Sequence, residues 1–506
     1  MKQLSGIDAG FLHMEGPTTY GHVSSLNVYD PNGMPPGAAY EAMFRLVSER
    51  LDLVPLFRRR LVEVPLGLDL PYWVEDPNFD LHFHLRHHAV PPPGNDEQLA
   101  EVVSRIVARP LDRTRPLWEM YIIEGLEGGR FAQLTKVHHA TIDGAAGAQM
   151  LASLLDTEPS ADDDRDDDID PVNDERHVGT WEPDRLPTDA ELLQRTAVQL
   201  LLRPEKFVRL GVRAMRELAA ATQSGGLRAL ADVAAQPLPG PVGTALRARL
   251  RGGHEVDTPP ALPTSRAPRT PFNRTISAHR RFAFVNVPLA EAKAIKSAYG
   301  VTFNDVVMAL CSATLRRYLD ERAALPDDPL VAMVPVSIRT GNESDLYANR
   351  VSALFANLHT DEKDPVDRLL AISASMTAAK GMQSAIPAEA LTDFAQFAPP
   401  AIAARAMRLY SRTRIADRMN PPFNLVISNV PGPAGPLYAG RAQLRHFYPV
   451  STIVDGQGLN MTVQSYNGSL DFGFVACREL VPDLWDLKGY LLDAVQELLD
   501  TLEHAR

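Results

Sequence analysis

The chain has 506 residues, with 51 Lys and Arg against 63 Asp and Glu, and its formal net charge is −12. Eleven acidic residues and one base fall within residues 156–175, so most of the net charge belongs to one short segment. The rest of the chain is nearly neutral, which excludes a uniformly acidic surface and the basic excess of a general nucleic-acid binder. The length fits two or three domains, and 45% hydrophobic with 23% charged residues is typical of a globular protein.

Two cysteines, Cys311 and Cys477, stand among apolar neighbours and are interpreted as packing residues of a reducing compartment. No apolar run reaches the roughly 18 residues that span a bilayer. The first residues, MKQLSGIDAGFLHMEG, lack the apolar core of a signal peptide. We therefore expect a cytoplasmic protein that is not secreted by a signal peptide.

The first 155 residues alternate between helical and strand patterns. Residues 99–111 place apolar side chains at helical spacing. Residues 118–126 and 131–139 favour two strands separated by a turn at 127–129, and residues 145–155 favour an apolar helix. These patterns predict an α/β layer.

A connection of unusual composition follows. The acidic run is too charged to bury and is expected to be a solvated loop, whereas eight prolines within residues 237–271 indicate a linker. Between them, residues 189–222 favour a helix that is either an ordinary surface helix or one that adsorbs to anionic lipid. The bases on one face of this helix are Lys206, Arg209, Arg213 and Arg216. The predicted domains are residues 1–155, the connection 156–268, and residues 269–506.

The last of these ranges also mixes helices and strands. A strand at 280–289 precedes a helix that ends at Gly300, and Thr302 or Asn304 can cap the helix that follows. Asn467-Gly468 is the turn signal of a hairpin. Further segments are predicted as two strands and a final amphipathic helix, at 330–339, 423–433 and 481–503.

The densest cluster of reactive side chains is HHATIDG at 138–144, between a strand and a helix. In an extended strand His138 and His139 face opposite ways, so only one of them can serve a given pocket. Asp143 can cap the next helix or orient an imidazole or an arginine. Diverging histidines without CxxC or HExxH argue against zinc, and no metal site is predicted.

No GxSxG, GxxxxGK[ST] or GxGxxG motif is present, so serine hydrolase, P-loop and Rossmann interpretations lose support. The chemistry that remains is a histidine that takes a proton from a substrate hydroxyl or amine.

HHATIDG resembles the HHxxxDG motif of the coenzyme A-dependent acyltransferase superfamily. Further segments narrow the resemblance, namely LSGIDAGFL at 4–12, PLDRTRPLW at 110–118, TPFN at 270–273, TFNDVVMA at 302–309, VPVSIR at 334–339 and ISNVPGP at 427–433. Together they are similar to the bacterial wax ester synthase/diacylglycerol acyltransferase family, over nearly the whole chain.

The resemblance implies an α/β fold of two chloramphenicol-acetyltransferase-like subdomains with a tunnel at their interface, joined by a long helical and Pro-rich connection. It makes His139 the general base, with His138 beside it and Asp143 holding the loop through an arginine that the sequence does not identify. It also assigns substrate contacts, for which helix capping and core packing are the alternative roles, to Asn304, Asp305, Pro116, Leu117 and Trp118. Residues 470–473 resemble the DFGWG motif of plant relatives, although Phe474 and Val475 depart from it.

The implied reaction moves a long-chain acyl group from acyl-CoA to the hydroxyl of diacylglycerol, a long-chain alcohol or both. No acyl-enzyme is required because a thioester is already activated. Thr462, Gln464 and Ser465 are candidate donors to the developing oxyanion. No cofactor is expected, since acyl-CoA is a substrate, and a peripheral association with the inner membrane or lipid inclusions is left open. The alternatives are a condensation-type transferase with another acceptor or a carrier-bound donor, and a non-catalytic lipid-binding protein of the same fold.

Overall fold

The computed structural model describes residues 1–142, 144–160, 183, 185–202, 267–337, 351–384 and 413–504. We call the part up to residue 160 the N-terminal half and the part from residue 267 the C-terminal half. Both halves belong to one compact unit, Met1–Asp189 with Arg266–Arg506, and Ala190–Ser265 form a second unit. The described part of the second unit lies in helix α6, Asp189–Leu202.

The N-terminal half contains five helices and seven strands within its described residues. The helices are α1 (Gly6–His13), α2 (Ala39–Arg50), α3 (Leu81–His84), α4 (Asp96–Val107) and α5 (Gly144–Ser153). The strands are β1 (Lys2–Gln3), β2 (His22–Asp30), β3 (Arg59–Val62), β4 (Tyr72–Glu75), β5 (Leu85–Ala89), β6 (Trp118–Glu124) and β7 (Phe131–His138).

The described C-terminal half contributes four helices and eight strands. The helices are α7 (Leu289–Tyr299), α8 (Phe303–Asp320), α9 (Pro365–Ser384) and α10 (Asp486–His504). The strands are β8 (Arg280–Pro288), β9 (Val331–Ser337), β10 (Val351–Asn357), β11 (Leu425–Pro431), β12 (Tyr438–Ala439), β13 (Ala442–Val450), β14 (Leu459–Tyr466) and β15 (Ser469–Cys477).

Three sheets organise these strands. The first has the order β12-β13-β2-β7-β6-β5 and the second the order β10-β9-β11-β14-β15-β8, while β1, β4 and β3 form a small third sheet. In the first sheet only β5 and β6 run parallel, and in the second β11 runs parallel to both β9 and β14. The predicted mixed α/β class is therefore confirmed.

Buried polar side chains of the first sheet bind the backbone carbonyls at the C-terminal end of α4. Lys136 Nζ donates to the carbonyl oxygen of Arg109 at 2.6 Å, and His22 Nε2 lies 3.0 Å from that of Val107. These carbonyls belong to the last residue of the helix and to a residue just after it, where no donor within the helix is left to bind them. The face of the sheet that carries Lys136 and His138 is thereby tied to α4.

The predicted turns and caps of the C-terminal half are confirmed. Gly300 ends α7 in the left-handed conformation, at φ 66°. Thr302 and Asp305 form a reciprocal capping box at the start of α8. β14 and β15 are joined by the hairpin turn at Asn467 and Gly468.

Strand β13 leaves the C-terminal half and completes the sheet of the N-terminal half, where it pairs with β2. It passes so close to β15 that a Cβ atom on Gly473 would lie 1.8 Å from the Pro449 carbonyl oxygen. The buried Asp471 carboxylate accepts from the backbone N–H of Phe447 at 2.6 Å, beside a bulge in β13. The crossing thus explains the glycine and the aspartate of the 470–473 segment, while the predicted domain boundaries stay a prediction.

The TPFN segment anchors the chain where it enters the C-terminal half. Asn273 Nδ2 donates to the carbonyl oxygens of Asn424 and Gly456 at 2.8 and 2.7 Å, and Thr270 donates to Asn273 Oδ1 at 2.6 Å. All donors of this buried amide are satisfied, so the motif has a structural role.

The predicted helix at 189–222 is observed over Asp189–Leu202. Its basic face, most of the acidic run and most of the Pro-rich linker lie outside the described residues. Within the described part of the chain, no single helix is long and apolar enough to cross a bilayer. The α7–α8 pair meets that requirement only when the two are combined, and they are bent by 106°.

Candidate active site

The two histidines lie where β7 ends against the start of β2. The backbone N–H of His139 donates to the Gly21 carbonyl oxygen at 2.8 Å, which extends the ladder one residue beyond the strand. His138 is 1% exposed, whereas His139 is half-buried. As predicted from strand alternation, the two side chains have different surroundings.

Helix α1 supplies the surface on which His139 rests. Its first turn is capped by Ser5, whose hydroxyl accepts from the Asp8 N–H at 3.1 Å. Phe11, on the same helix, stacks on the His139 ring with centroids 4.0 Å apart and an interplanar angle of 11°. The LSGIDAGFL segment therefore positions the imidazole.

Both nitrogens of His138 face groups of the protein. Nδ1 accepts from the backbone N–H of Ala140 at 3.0 Å, so the proton of the neutral ring is on Nε2. Nε2 lies 3.2 Å from Glu15 Oε1. With these contacts and almost no exposed surface, His138 supports the turn, and its predicted catalytic role beside His139 stays a prediction.

Glu15 connects this turn to Arg113. Its Oε1 accepts from the Gly21 N–H at 2.9 Å, and its Oε2 accepts from Arg113 Nη2 at 2.6 Å and Nε at 3.0 Å. Burial opposes ionisation of this carboxyl, but His138 and Arg113 outweigh burial and lower the pKa of Glu15 to about 2. We call Arg113, Glu15, Gly21 and His138 the Glu15 network.

Gly21 is required by the closeness of this packing. A Cβ atom at this position would lie 2.5 Å from His138 Nε2 and 2.9 Å from the Phe11 carbonyl oxygen. Any larger residue would displace the ring or the helix that supports His139.

His22, directly opposite His138 in the β2–β7 register, belongs to the core. Burial, reinforced by the charge of Lys136, lowers its pKa well below the usual range, so the ring is neutral. Its contact with α4 gives it a structural role.

The PLW residues lie in the core beside the site. Trp118 is 1% exposed, donates from Nε1 to the Phe57 carbonyl oxygen at 2.8 Å and stacks on the Phe57 ring. The Leu117 carbonyl accepts from the His138 N–H at 2.9 Å, and Pro116 precedes it. Core packing accounts for these residues, and their contact with substrate stays a prediction.

The ND residues lie at the start of α8. The Asp305 carboxylate accepts from the Thr302 N–H at 2.8 Å and from the Ser373 hydroxyl at 2.9 Å. Asn304 Oδ1 lies 3.4 Å from Asn429 Nδ2, on β11. Capping explains the observed contacts of the Asp305 carboxylate, and substrate contact by Asn304 and Asp305 stays a prediction.

The three oxyanion candidates occupy β14. Thr462 Oγ1 donates to Asn460 Oδ1 at 2.8 Å, and Ser465 Oγ lies 3.4 Å from the Gly432 N–H. Gln464 Nε2 is buried without a hydrogen-bond partner in the described part of the chain, which makes it the candidate whose donor is available. The oxyanion role of all three stays a prediction.

Asp143 lies outside the described residues, and its predicted role stays a prediction. Both cysteines are buried, and burial raises the pKa of Cys311 to about 12, far from that of a nucleophilic thiol. Among the described side chains, no three His, Cys, Asp or Glu converge as a metal site would require.

Sequence reasoning identified both histidines but missed Phe11, Glu15, Gly21 and Arg113. Phe11 and Arg113 fall inside segments that carry the resemblance, so the signal was present without a function attached to it. Glu15 and Gly21 have no local pattern, because their contacts are made by residues distant in the chain.

Two sheet-based halves and a half-buried histidine in an HHxxxDG motif are the features expected of an acyltransferase. Residues 4–307 match the wax ester synthase/diacylglycerol acyltransferase catalytic domain, and residues 347–499 match the C-terminal domain of the same family. The chain belongs to the wax ester synthase/diacylglycerol acyltransferase family, as the motifs predicted.

Individual relatives support the same family assignment. A putative diacylglycerol O-acyltransferase of Mycobacterium tuberculosis is 36% identical over 99% of this chain and 90% of its own length. A second one from that organism is 37% identical over 98% of this chain and 99% of its own length. The solved wax ester synthase/diacylglycerol acyltransferase of Marinobacter aquaeolei VT8 is 29% identical, covers 98% of both chains and superposes with a TM-score of 0.64.

A condensation domain of the calcium-dependent antibiotic synthetase superposes with a TM-score of 0.52 at 15% identity, which shows a shared fold alone. The predicted two-subdomain fold is thus confirmed, while the tunnel and the connection stay predictions.

Proposed function

We propose that the chain transfers an acyl group from a long-chain acyl-CoA to the hydroxyl of a diacylglycerol or a long-chain alcohol, with His139 as general base. The observation that supports this most is the contrast within the histidine pair. His138 is almost fully buried at 1% exposure, while His139 is half-buried, stacked on Phe11 and held at a strand end.

In the proposed reaction His139 takes the proton of the acceptor hydroxyl as its oxygen attacks the thioester carbonyl. The C–O bond forms, the tetrahedral intermediate collapses, and the C–S bond breaks. The imidazolium then returns the proton to the departing thiolate, so the products are an ester and free CoA. A general base of this kind contributes roughly 100- to 10,000-fold to the rate.

Diacylglycerol is the favoured acceptor because both mycobacterial relatives are named as putative diacylglycerol O-acyltransferases. The long-chain alcohol is retained because the Marinobacter enzyme carries both activities in its name. The product is accordingly a triacylglycerol, a wax ester or both.

The Glu15 network is the positioning element of this proposal. It holds the backbone at two points next to His139, namely at Gly21 on the neighbouring strand and at His138, the preceding residue. Because none of its members needs to touch substrate, its contribution is to hold the imidazole at a constant height and angle.

The test uses purified protein with palmitoyl-CoA and either diolein or hexadecanol, and follows CoA release. We expect release with at least one acceptor, and a fall of about 100- to 10,000-fold for His139→Ala. His88→Ala, which removes an exposed histidine on β5, is the matched control and should keep wild-type activity.

Release with neither acceptor, or equal activity of His139→Ala and wild type, would refute the assignment. Activity only with a carrier-bound donor would favour the condensation-type alternative. Binding of diolein without turnover would favour a lipid-binding protein.

A further inference from the structure

The turn between β3 and β4 exposes apolar side chains at its tip. We call residues 64–70 the hairpin tip. Leu66 is 85% exposed and Leu68 is 54% exposed, the first being the most exposed large hydrophobic side chain of the described residues. Paired exposure of leucines on a protruding turn is a feature of interaction sites rather than of an ordinary soluble surface.

The backbone of the hairpin tip adds a second observation. Leu66 has φ 61° and ψ 7°, in the left-handed region, and is followed by Gly67 at φ 62°. Glycine or asparagine adopts this conformation at little cost, whereas leucine does so under strain. A strained position occupied by an exposed apolar residue is poorly explained by folding alone.

The base of the hairpin is firmly held. The Leu4 N–H donates to the Pro71 carbonyl oxygen at 2.9 Å, and Gln3 Nε2 donates to that of Leu70 at 3.2 Å. The inward side chains Leu61 and Trp73 belong to a buried cluster that also contains Leu117 and Ala140, with Phe11 packed against it.

A charged contact reaches the same place. Arg113, which donates to Glu15, also places its Nη1 atom 3.4 Å from Oε1 of Glu63, the residue that follows β3. The hairpin is therefore braced on the residues that surround His139, although its tip projects into solvent.

We infer that the hairpin tip docks on the surface of an uncharged lipid phase, zwitterionic or neutral, from which the acceptor is drawn. This inference rests on the proposed function, since the acceptors considered there are dissolved in lipid. A protein partner is disfavoured because a stable interface buries about 800 Å² per partner, far more than two leucine side chains supply.

A lipid surface needs no such complementarity and accepts a small protruding apolar tip. Charge selects the lipid class. Asp69 is the only charged residue of the tip and Glu63 precedes it, so nothing there attracts anionic headgroups.

The test is flotation of the full-length protein with phosphatidylcholine vesicles containing diolein, without acyl-CoA. The variant is Leu66→Ser with Leu68→Ser, and the control is Leu370→Ser with Leu492→Ser, which removes leucines 44% and 41% exposed on α9 and α10. We expect the tip variant to lower the vesicle partition coefficient by roughly tenfold per leucine, and the control to leave it unchanged.

A second variant, Leu66→Gly, separates docking from folding. It relieves the left-handed strain, so its thermal stability should equal or exceed that of wild type while its vesicle binding falls. The inference would be overturned if the tip variant bound vesicles as strongly as wild type. It would also be overturned if the tip variant lost self-association while its vesicle binding was unchanged.

Because flotation needs no turnover, a failure of docking is distinguishable from a failure of the proposed reaction. Turnover of water-dispersed dioctanoylglycerol should be equal in wild type and tip variant, whereas turnover of vesicle-borne diolein should fall in the variant. Equal loss with both acceptors would contradict a docking role.

Discussion

Glu15 is the residue whose change should separate positioning from chemistry. Glu15→Gln keeps the size of the side chain but removes the charge that holds Arg113 and faces His138. We expect kcat to fall about 10- to 100-fold with little change in KM, because the imidazole loses its fixed position while the substrate surface is intact. Steady-state kinetics with diolein measure this split, and recovery of kcat by Glu15→Asp would support it.

The same carboxylate gives a pH-dependent prediction. Its pKa is lowered from 4.5 to about 2 in the folded protein, so its stabilising contribution is complete above pH 4.5 and is lost as the pH falls toward 2. The shift corresponds to about 3 kcal/mol. Urea unfolding should show wild type more stable than Glu15→Gln at pH 7, with a difference that narrows below pH 4.5. A constant difference would argue against an ionised Glu15.

Single residues of the site were predictable to different degrees. His138 and His139 stand together in a recognisable motif, so the sequence is enough to find them. The proposed difference in role between them depends on Glu15 and Ala140, because the hydrogen bond to Nδ1 fixes the tautomer of His138. No local pattern predicts that the Glu15 carboxylate, 123 residues away in the chain, faces the His138 ring.

At the scale of elements, the close approach of β13 and β15 makes Gly473 a sensitive position. Gly473→Ala forces a Cβ atom against the Pro449 carbonyl and should destabilise the protein by about 1 to 3 kcal/mol or more. Gly489→Ala on α10 is the matched control, because its Cβ has open space and a helical alanine should stabilise by about 0.5–1 kcal/mol. Chemical denaturation compares both, and opposite signs are expected.

The start of α8 allows capping to be distinguished from substrate contact. Asp305→Asn weakens acceptance from the Thr302 N–H and the Ser373 hydroxyl, so stability should fall by about 1 to 2 kcal/mol. If capping is its whole role, KM for palmitoyl-CoA and for diolein should remain at the wild-type value. A raised KM in a variant of normal stability would assign Asp305 to the substrate.

Elements with local signals were predicted well and those with distant partners were not. The Asn467-Gly468 turn and the Thr302 cap are encoded within a few residues, so their positions followed from the sequence. The pairing of β13 with β2 joins residues about 400 apart, and no periodicity within either strand specifies that partner.

At the scale of the whole molecule, the C-terminal half contributes β13 to the sheet of the N-terminal half, which predicts that the two halves fold together. A fragment of residues 1–189 lacks β12 and β13, so the edge of β2 and part of the core are uncovered. We expect this fragment alone to be insoluble or unfolded by circular dichroism, and co-expression with residues 266–506 to recover soluble complex. A folded, monomeric 1–189 fragment would contradict the prediction.

The ladder between β13 and β2 also limits how the enzyme could admit the lipid acceptor proposed above. Separating the two halves between β13 and β2 would break the backbone pairs from Gln443 to Val450. Such a rupture costs far more than thermal motion supplies during turnover. We therefore expect any opening to come from side chains and loops rather than from separation of the halves, so turnover should be more sensitive to changes in those parts than to changes along the β13–β2 ladder.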